Sequence, residues 1–379
     1  MKPFMPPPHF INGKEKGIHA AVWRISSAAS SFMRRCIRII IEKDPQLFVI
    51  GIARNGMEAI EKIQRLKPDI VTMDVEMPEM DGMTALKEIM KICPVPVVML
   101  SNRTDKDPET TFRALELGAA DFYLKSILLE DNVKPEIIEE FLERLKAIAE
   151  KARRSDNEEQ KKRIASENMS KILENILNRP EDCIETKAGL ADLLIIGCST
   201  GGPSALQSIL PRFPKDTHVP IVVLQHMPPG FTRPLAERFD TICNLHVKEA
   251  EDGDILKAGN IYIAPAGYQT FIEKKTNGSS ALKIKDCPSV ETVYRPSINV
   301  TLKSAAPIYK EKLLSVILTG MGNDGLIGCE LVKKYNGRII VEAEESCIVY
   351  GMPKVVYEAG LADVQVPLSD IFHEIMHYL

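Results

Sequence analysis

Two doubly wound α/β domains joined by a charged helical tether are what this sequence predicts, on three observations. From residue 18 to about 126, short apolar runs alternate with amphipathic helical stretches, as in a parallel sheet wrapped by helices. After residue 190 the apolar runs return as Leu193–Ile196, Ile221–Leu224 and Leu314–Leu318, continuous enough for strands buried on both faces. Between them, residues 131–189 are charged and helix-favouring.

Composition sets the outer limits. The 379 residues are 45% apolar and 26% charged, with a formal net charge of -4. That length suits two or three domains with well-formed cores. The charge gives no basic footprint for nucleic acid. Eight cysteines, none in a C-x-x-C pair or near histidines at zinc spacing, point to a reducing compartment and away from structural metal. No apolar run approaches the roughly 18 residues of a membrane span and no cleavable leader is evident, so a cytoplasmic chain without membrane insertion is expected.

In chain order, residues 1–17 open on a proline-rich run and are expected to be a disordered tail. The first domain spans 18–130. Its strand ends carry Asp74 in Asp74-Val75-Glu76-Met77-Pro78, Ser101 in Val97-Val98-Met99-Leu100-Ser101, and Lys125 in Asp121-Phe122-Tyr123-Leu124-Lys125. A carboxylate, a hydroxyl and an amine at the carboxyl ends of three parallel strands can share one site. The helical linker, 131–189, begins with apolar residues at 137, 138, 141, 142 and 145, one face of a helix that should pack on the sheet. A second helical stretch is expected near Met169 to Leu177.

The second domain, 190–379, is organised around Leu193-Leu194-Ile195-Ile196-Gly197-Cys198-Ser199-Thr200-Gly201-Gly202-Pro203, which reads as strand, tight turn and helix. Ser199 then stands at the carboxyl edge of the sheet, and the turn aims backbone N–H groups such as those of Thr200 and Gly201 at whatever binds. Gly197-x-Ser199-x-Gly201 fits a nucleophile elbow. The same glycines could cradle a phosphate or nucleotide, or be tight for packing alone, and the turn by itself leaves all three readings open. Cys198 is expected to be a buried filler on the other side of the turn. His226 ends the next apolar run and Asp324 follows the third, so serine, histidine and aspartate can meet on one rim. Thr232 is available to cap the helix after His226.

Residues 18–126, with the long D-V-E-M-P-x-M-D-G run, resemble the flavodoxin-like receiver domain of two-component response regulators. That resemblance makes Asp74 the phosphoacceptor, Ser101 the hydroxyl contacting the phosphoryl group and Lys125 its counter-charge, with a histidine kinase as a possible donor. It fails at the acidic pair that holds Mg2+ in the family. Aligning Ser30-Ser31-Phe32-Met33-Arg34 puts Ala28 and Ala29 at those positions, and no Asp or Glu lies between Lys16 and Ile41. A weak magnesium site is expected, because this cation needs several oxygen ligands. Ser126 also replaces the proline that follows the family's lysine.

In the second domain, I-G-C-S-T-G-G, Q-H-M-P-P-G-F-T-R-P-L-A-E-R, R-P-S and I-L-T-G-M-G-N-D-G resemble the catalytic domain of chemotaxis protein-glutamate methylesterases. The resemblance implies Ser199 as nucleophile, His226 as general base, Asp324 as its orienting group and the Met321 N–H in the oxyanion hole. It implies methylated chemoreceptor helices as substrate, glutamine deamidation as a second activity, and no metal or organic cofactor. Asn299 departs from the aspartate common after R-P-S-x, a change expected to leave the triad untouched. A catalytically silent interaction protein and a phosphate-binding module remain as alternatives; the latter leaves His226 and Asp324 without a role.

Overall fold

The computed structural model describes residues 18–23, 30–101, 107–128, 133, 135–166, 191–287, 292 and 294–379. The 1–17 tail, Ala28 and Ala29, and the stretch near Met169 to Leu177 lie outside the described residues.

Short apolar runs and period-3.6 patterns alternate through the first domain and fold as buried strands and helices. Strands β1 (Ile18–Trp23), β2 (Leu47–Ala53), β3 (Ile70–Asp74), β4 (Val97–Ser101) and β5 (Asp121–Leu124) form a parallel sheet in the order β2-β1-β3-β4-β5. That order reverses direction between β1 and β3, which brings the end of β3 to a topological switch point. Helices α1 (Ser30–Ile41), α2 (Gly56–Leu66), α3 (Gly82–Ile92) and α4 (Asp107–Glu116) cover the sheet. The starts of α2 and α3 are set locally: Asn55 and Asp81 accept hydrogen bonds from the N–H groups of Glu58 and Thr84, satisfying donors that a helix cannot pair internally.

After the short α5 (Lys125–Leu128), one long helix, α6 (Pro135–Ser166), carries the apolar face read from its sequence. Phe141, Leu142, Leu145, Ile148 and Ala149 bury that face against Ile37, Ile41, Leu47, Ile70 and Val98. Farther along α6, Lys151 Nζ donates to the carbonyl oxygens of Glu344 and Glu345, and Arg154 pairs with Glu344 in the second domain. The helix therefore touches both domains.

The second domain is built on a seven-stranded parallel sheet in the order β14-β13-β12-β6-β7-β9-β8. Its strands are β6 (Leu193–Cys198), β7 (Ile221–Gln225), β8 (His246–Glu249), β9 (Asn260–Ile263), β12 (Leu313–Ile317), β13 (Arg338–Glu342) and β14 (Val364–Val366). An antiparallel ribbon, β10 (Gln269–Lys274) with β11 (Ser280–Lys285), lies apart from it. Helices α7 (Gly202–Ile209), α8 (Thr232–Ile242), α9 (Ile298–Tyr309), α10 (Leu326–Lys334), α11 (Met352–Glu358) and α12 (Leu368–Tyr378) complete the layers. The chain leaves β6 toward β7 on one side and later returns to β12 on the other, so the ends of β6 and β12 flank a second switch point.

Thr232 does not cap α8 through its side chain as the sequence suggested. It is the helix's first residue, and its hydroxyl donates to Glu249 Oε1 at 2.7 Å while accepting from the Ala266 N–H at 3.0 Å. Two partners distant in sequence outcompete the local N–H.

The two domains share one apolar core, in which Phe112 and Leu115 of α4 belong to the same cluster as Leu235 and Phe239 of α8. Phe122 stacks on Phe231 with ring centroids 5.2 Å apart, and Arg238 pairs with Glu116 at the rim. No helix among the described residues is long and apolar enough to cross a membrane.

Candidate active site

Three strand ends converge at the carboxyl edge of the larger sheet. Cys198 and Gln225 are register partners on β6 and β7, so Ser199 and His226 leave neighbouring strands side by side, and the His226 N–H donates to the Cys198 carbonyl at 3.0 Å. Asp324 enters from the loop after β12, the strand on the other side of β6. His226 Nε2 lies 2.9 Å from Asp324 Oδ2, and both side chains are almost fully buried. His226 Nδ1 has no hydrogen-bond partner among the described residues. It is therefore the ring nitrogen that Asp324 leaves unengaged.

The Ser199 turn is braced from below. Gln225 donates to the carbonyls of Ser199 (3.0 Å) and His226 (2.9 Å) and accepts from Cys198 Sγ at 3.0 Å. A Cβ at Gly202 would collide with that amide oxygen, and Gly201 takes φ +78°, so the pair of glycines is required by close approach and by a left-handed backbone. Cys198 faces away from the cleft with no exposed surface, and burial pushes its thiol well up, which suits a filler rather than a nucleophile. The N–H groups of Thr200, Gly201 and Met321 have no acceptor among the described residues, while Gly320 is tied to Val349 and Ser199 N–H to Thr319. Those free donors border the Ser199 turn.

Asp324 is held by more than the histidine. Its Oδ1 accepts from Ser297 Oγ (2.8 Å) and Asn299 N (3.0 Å), and its Oδ2 from Ile298 N (2.7 Å). Burial alone would raise its pKa, but His226 and these N–H groups outweigh it and hold the carboxyl below the usual range. Asn299 supports Asp324 through its backbone N–H, which any residue there would supply, while its side-chain oxygen accepts from Gly325 N (3.0 Å) and Gly328 N (2.7 Å) at the start of α10. The R-P-S-x spacing was the available signal.

Three further residues carry structure that composition does not advertise. Tyr294 stacks on the His226 ring. Gln269 accepts from Ser297 N and donates to the Tyr294 carbonyl, fixing that segment. Glu342, with no exposed surface, accepts from Thr319 N (2.8 Å) and Ser346 Oγ (2.9 Å) behind the Met321 loop, and burial raises its pKa.

Ser199 and His226 line a cavity of about 380 Å³ whose other wall comes from the first domain: Asp121 to Leu124 of β5, and Ile137, Glu140 and Arg144 of α6. Arg144 bridges Asp121 (3.2 Å) and Glu140 (2.7 Å) there. Burial would lower the Arg144 guanidinium, but the two carboxylates more than compensate, so the cation persists in the wall.

At the first domain's own switch point, Lys125 Nζ donates to Asp74 Oδ1 at 2.7 Å and the Glu76 N–H approaches the same oxygen at 3.3 Å. The Asp74 and Lys125 side chains are 1% and 2% exposed. Ser101 ends the adjacent β4, where Asp74 pairs in register with Leu100. All three predicted residues thus meet at one sheet edge. No group of three His, Cys, Asp or Glu side chains that could hold a metal occurs among the described residues.

Comparisons with known proteins fit both halves. The family model described as CheB methylesterase matches residues 194–375, and that of the response regulator receiver domain matches residues 30–134. A protein of Oleidesulfovibrio alaskensis named protein-glutamate methylesterase/protein-glutamine glutaminase 1 is 40% identical over 360 residues, covering 92% of this chain and 96% of its own length. A Thermotoga maritima protein of the corresponding name is 42% identical over 346 residues, covering 90% and 94%. The crystal structure of the Thermotoga maritima CheB methylesterase catalytic domain is 44% identical and covers 50% of this chain and 99% of that one, with a TM-score of 0.48. With relatives about 40% identical over some nine-tenths of both chains, and both family models matching in the same order, the chain belongs to the protein-glutamate methylesterase/protein-glutamine glutaminase family.

Proposed function

We propose that this chain hydrolyses glutamate γ-methyl esters on the cytoplasmic helices of chemoreceptors, with Ser199 as nucleophile, His226 as general base and acid, and Asp324 as the group that orients the imidazole. The observation that carries this reading is the 2.9 Å contact of His226 Nε2 with Asp324, on a ring that leaves neighbouring β7 beside Ser199. Ser199 Oγ forms a bond to the ester carbonyl carbon as its proton passes to His226 Nδ1, and the carbonyl oxygen becomes an oxyanion facing the Met321, Thr200 and Gly201 N–H groups. Collapse breaks the carbon–methoxy bond, and the histidine's proton leaves with it as methanol. Water, deprotonated by the same nitrogen, then attacks the acyl-serine and releases glutamate. A glutamine side chain can follow the same route with ammonia as the leaving group. This chemistry calls for no metal or organic cofactor.

The receiver's wall over the cleft supports a regulatory role for domain docking, with a histidine kinase as the upstream partner in the family's layout. Phosphoryl control is weakened in this chain: Asp74 is buried against Lys125, and alanines stand at positions 28 and 29 where the receiver pattern has its acidic pair. The residues present do not fit a strong magnesium site. The reading is tested by assaying methanol release from a γ-methyl-glutamyl receptor peptide, and ammonia release from its glutamine counterpart, with wild type and His226→Gln. Loss of both activities in the variant supports the route; retention of either removes His226 from it.

A further inference from the structure

The Tyr294 ring lies flat on the His226 imidazole, with centroids 4.4 Å apart and planes 10° from parallel. Several contacts hold it there. Its carbonyl accepts from Gln269 Nε2 at 2.8 Å, and its N–H reaches Thr292 Oγ1 at 3.2 Å. The other end of the Gln269 amide takes the Ser297 N–H at 2.9 Å, and Ser297 Oγ in turn donates to Asp324. One short segment therefore presents an aromatic face to the histidine and a hydroxyl to the aspartate. The far tip of Tyr294 lies against Gly322, where φ is +87° and a Cβ would come within 2.6 Å of the phenol oxygen. The ring thus spans from the imidazole to the loop that carries Met321.

The phenol itself is poorly placed for proton transfer. Burial, with Glu140 and Asp324 nearby, pushes it up and keeps it neutral, and its oxygen has no hydrogen-bond partner among the described residues. What the geometry offers is the ring face. An imidazole tethered at one edge by Asp324 can still tilt about its side-chain bond, and a flat neighbour at stacking distance removes that freedom. When the ring accepts a proton it becomes a cation over an aromatic face, an attraction that strengthens only as charge develops.

We infer that Tyr294 is a positioning residue for the hydrolysis, whose stacked ring holds the His226 imidazole against Asp324. This rests on His226 being the general base. The test uses the full chain and a peptide bearing a glutamate γ-methyl ester, with methanol release as readout. Tyr294→Leu should lower kcat about tenfold with KM within about twofold and melting unchanged, while Tyr294→Phe, which keeps the ring, should stay within about twofold of wild type. Tyr294→Met is a second non-aromatic variant, so that a folding defect in one does not decide the matter. A folded Leu or Met variant with wild-type kcat, or a Phe variant as slow as Leu, would overturn the inference. His226→Gln separates the two layers: full activity there defeats the general-base reading itself, whereas its loss beside a wild-type Leu variant defeats only the role of Tyr294.

Discussion

Asp324 Oδ2 stands 2.9 Å from His226 Nε2 and at the same time accepts the Ile298 N–H at 2.7 Å. One carboxylate is thus anchored to the start of α9 and to the histidine together. Aspartate suits that place because it is acceptor-only and charged, and an amide would turn donors toward donors.

Asp324→Asn should therefore lower kcat by about 10³- to 10⁴-fold, since the imidazole loses its orienting partner and its favoured tautomer. It should also lose roughly 1–3 kcal/mol of stability from donors left without an acceptor. Methanol release and denaturant melts measure the two effects separately. A loss of activity below about tenfold would mean that another group orients the ring.

Glu342 and Asp324 should make opposite marks on stability as pH changes. The Asp324 carboxyl is held below its ordinary value, so its contribution is present above pH 3.8 and is lost as pH falls through the folded value. Glu342 is raised by burial, so its contribution is complete below pH 4.5 and is lost as pH rises through the folded value. Glu342→Gln can still accept from Thr319 and donate to Ser346 without burying a charge. The variant should match wild type near pH 4 and exceed it by about 1–3 kcal/mol at pH 8. Thermal melts across that range decide it, and a gap that stays constant with pH would contradict the assignment.

Docking of the receiver over the cleft rests on the Phe122–Phe231 stack and the Arg238–Glu116 pair. Phe122→Ala should loosen it and raise basal methanol release roughly two- to tenfold, the range expected from losing one aromatic pair. Unchanged activity would show that the cleft opens freely without this contact.

Small-molecule phosphodonors with millimolar magnesium should change the esterase rate by less than about twofold, because a ligand shifts a conformational equilibrium only as far as it distinguishes the two states. Intact-mass measurement of phosphate on Asp74 is the companion assay. Substantial magnesium-dependent phosphate accompanied by faster methanol release would show that other oxygen ligands complete the site.

Much of this was legible in the sequence because buried parallel strands leave unbroken apolar runs, and the residue that ends such a run stands at the rim where ligands bind. Ser199, His226 and Asp324 each follow a run of that kind. Tyr294 and Gln269 do not, since one comes from an irregular segment and the other opens an antiparallel ribbon, and only the fold brings them to the histidine. Glu342 reads as the polar end of a strand, yet it is fully buried because the remote Thr319 N–H and the nearby Ser346 hydroxyl satisfy it. Thr232 shows the converse, a correct local propensity overruled by the tertiary partners Glu249 and Ala266.

The central claim is that Ser199 carries the acyl group. It is tested most directly by methanol release from a γ-methyl-glutamyl peptide with wild type and Ser199→Ala, paired with fluorophosphonate labelling read by peptide mass spectrometry. The account predicts label on the Ser199 peptide of wild type, and neither label nor measurable hydrolysis in a folded Ser199→Ala. Hydrolysis near the wild-type rate in that variant, or label residing on another residue, would contradict it.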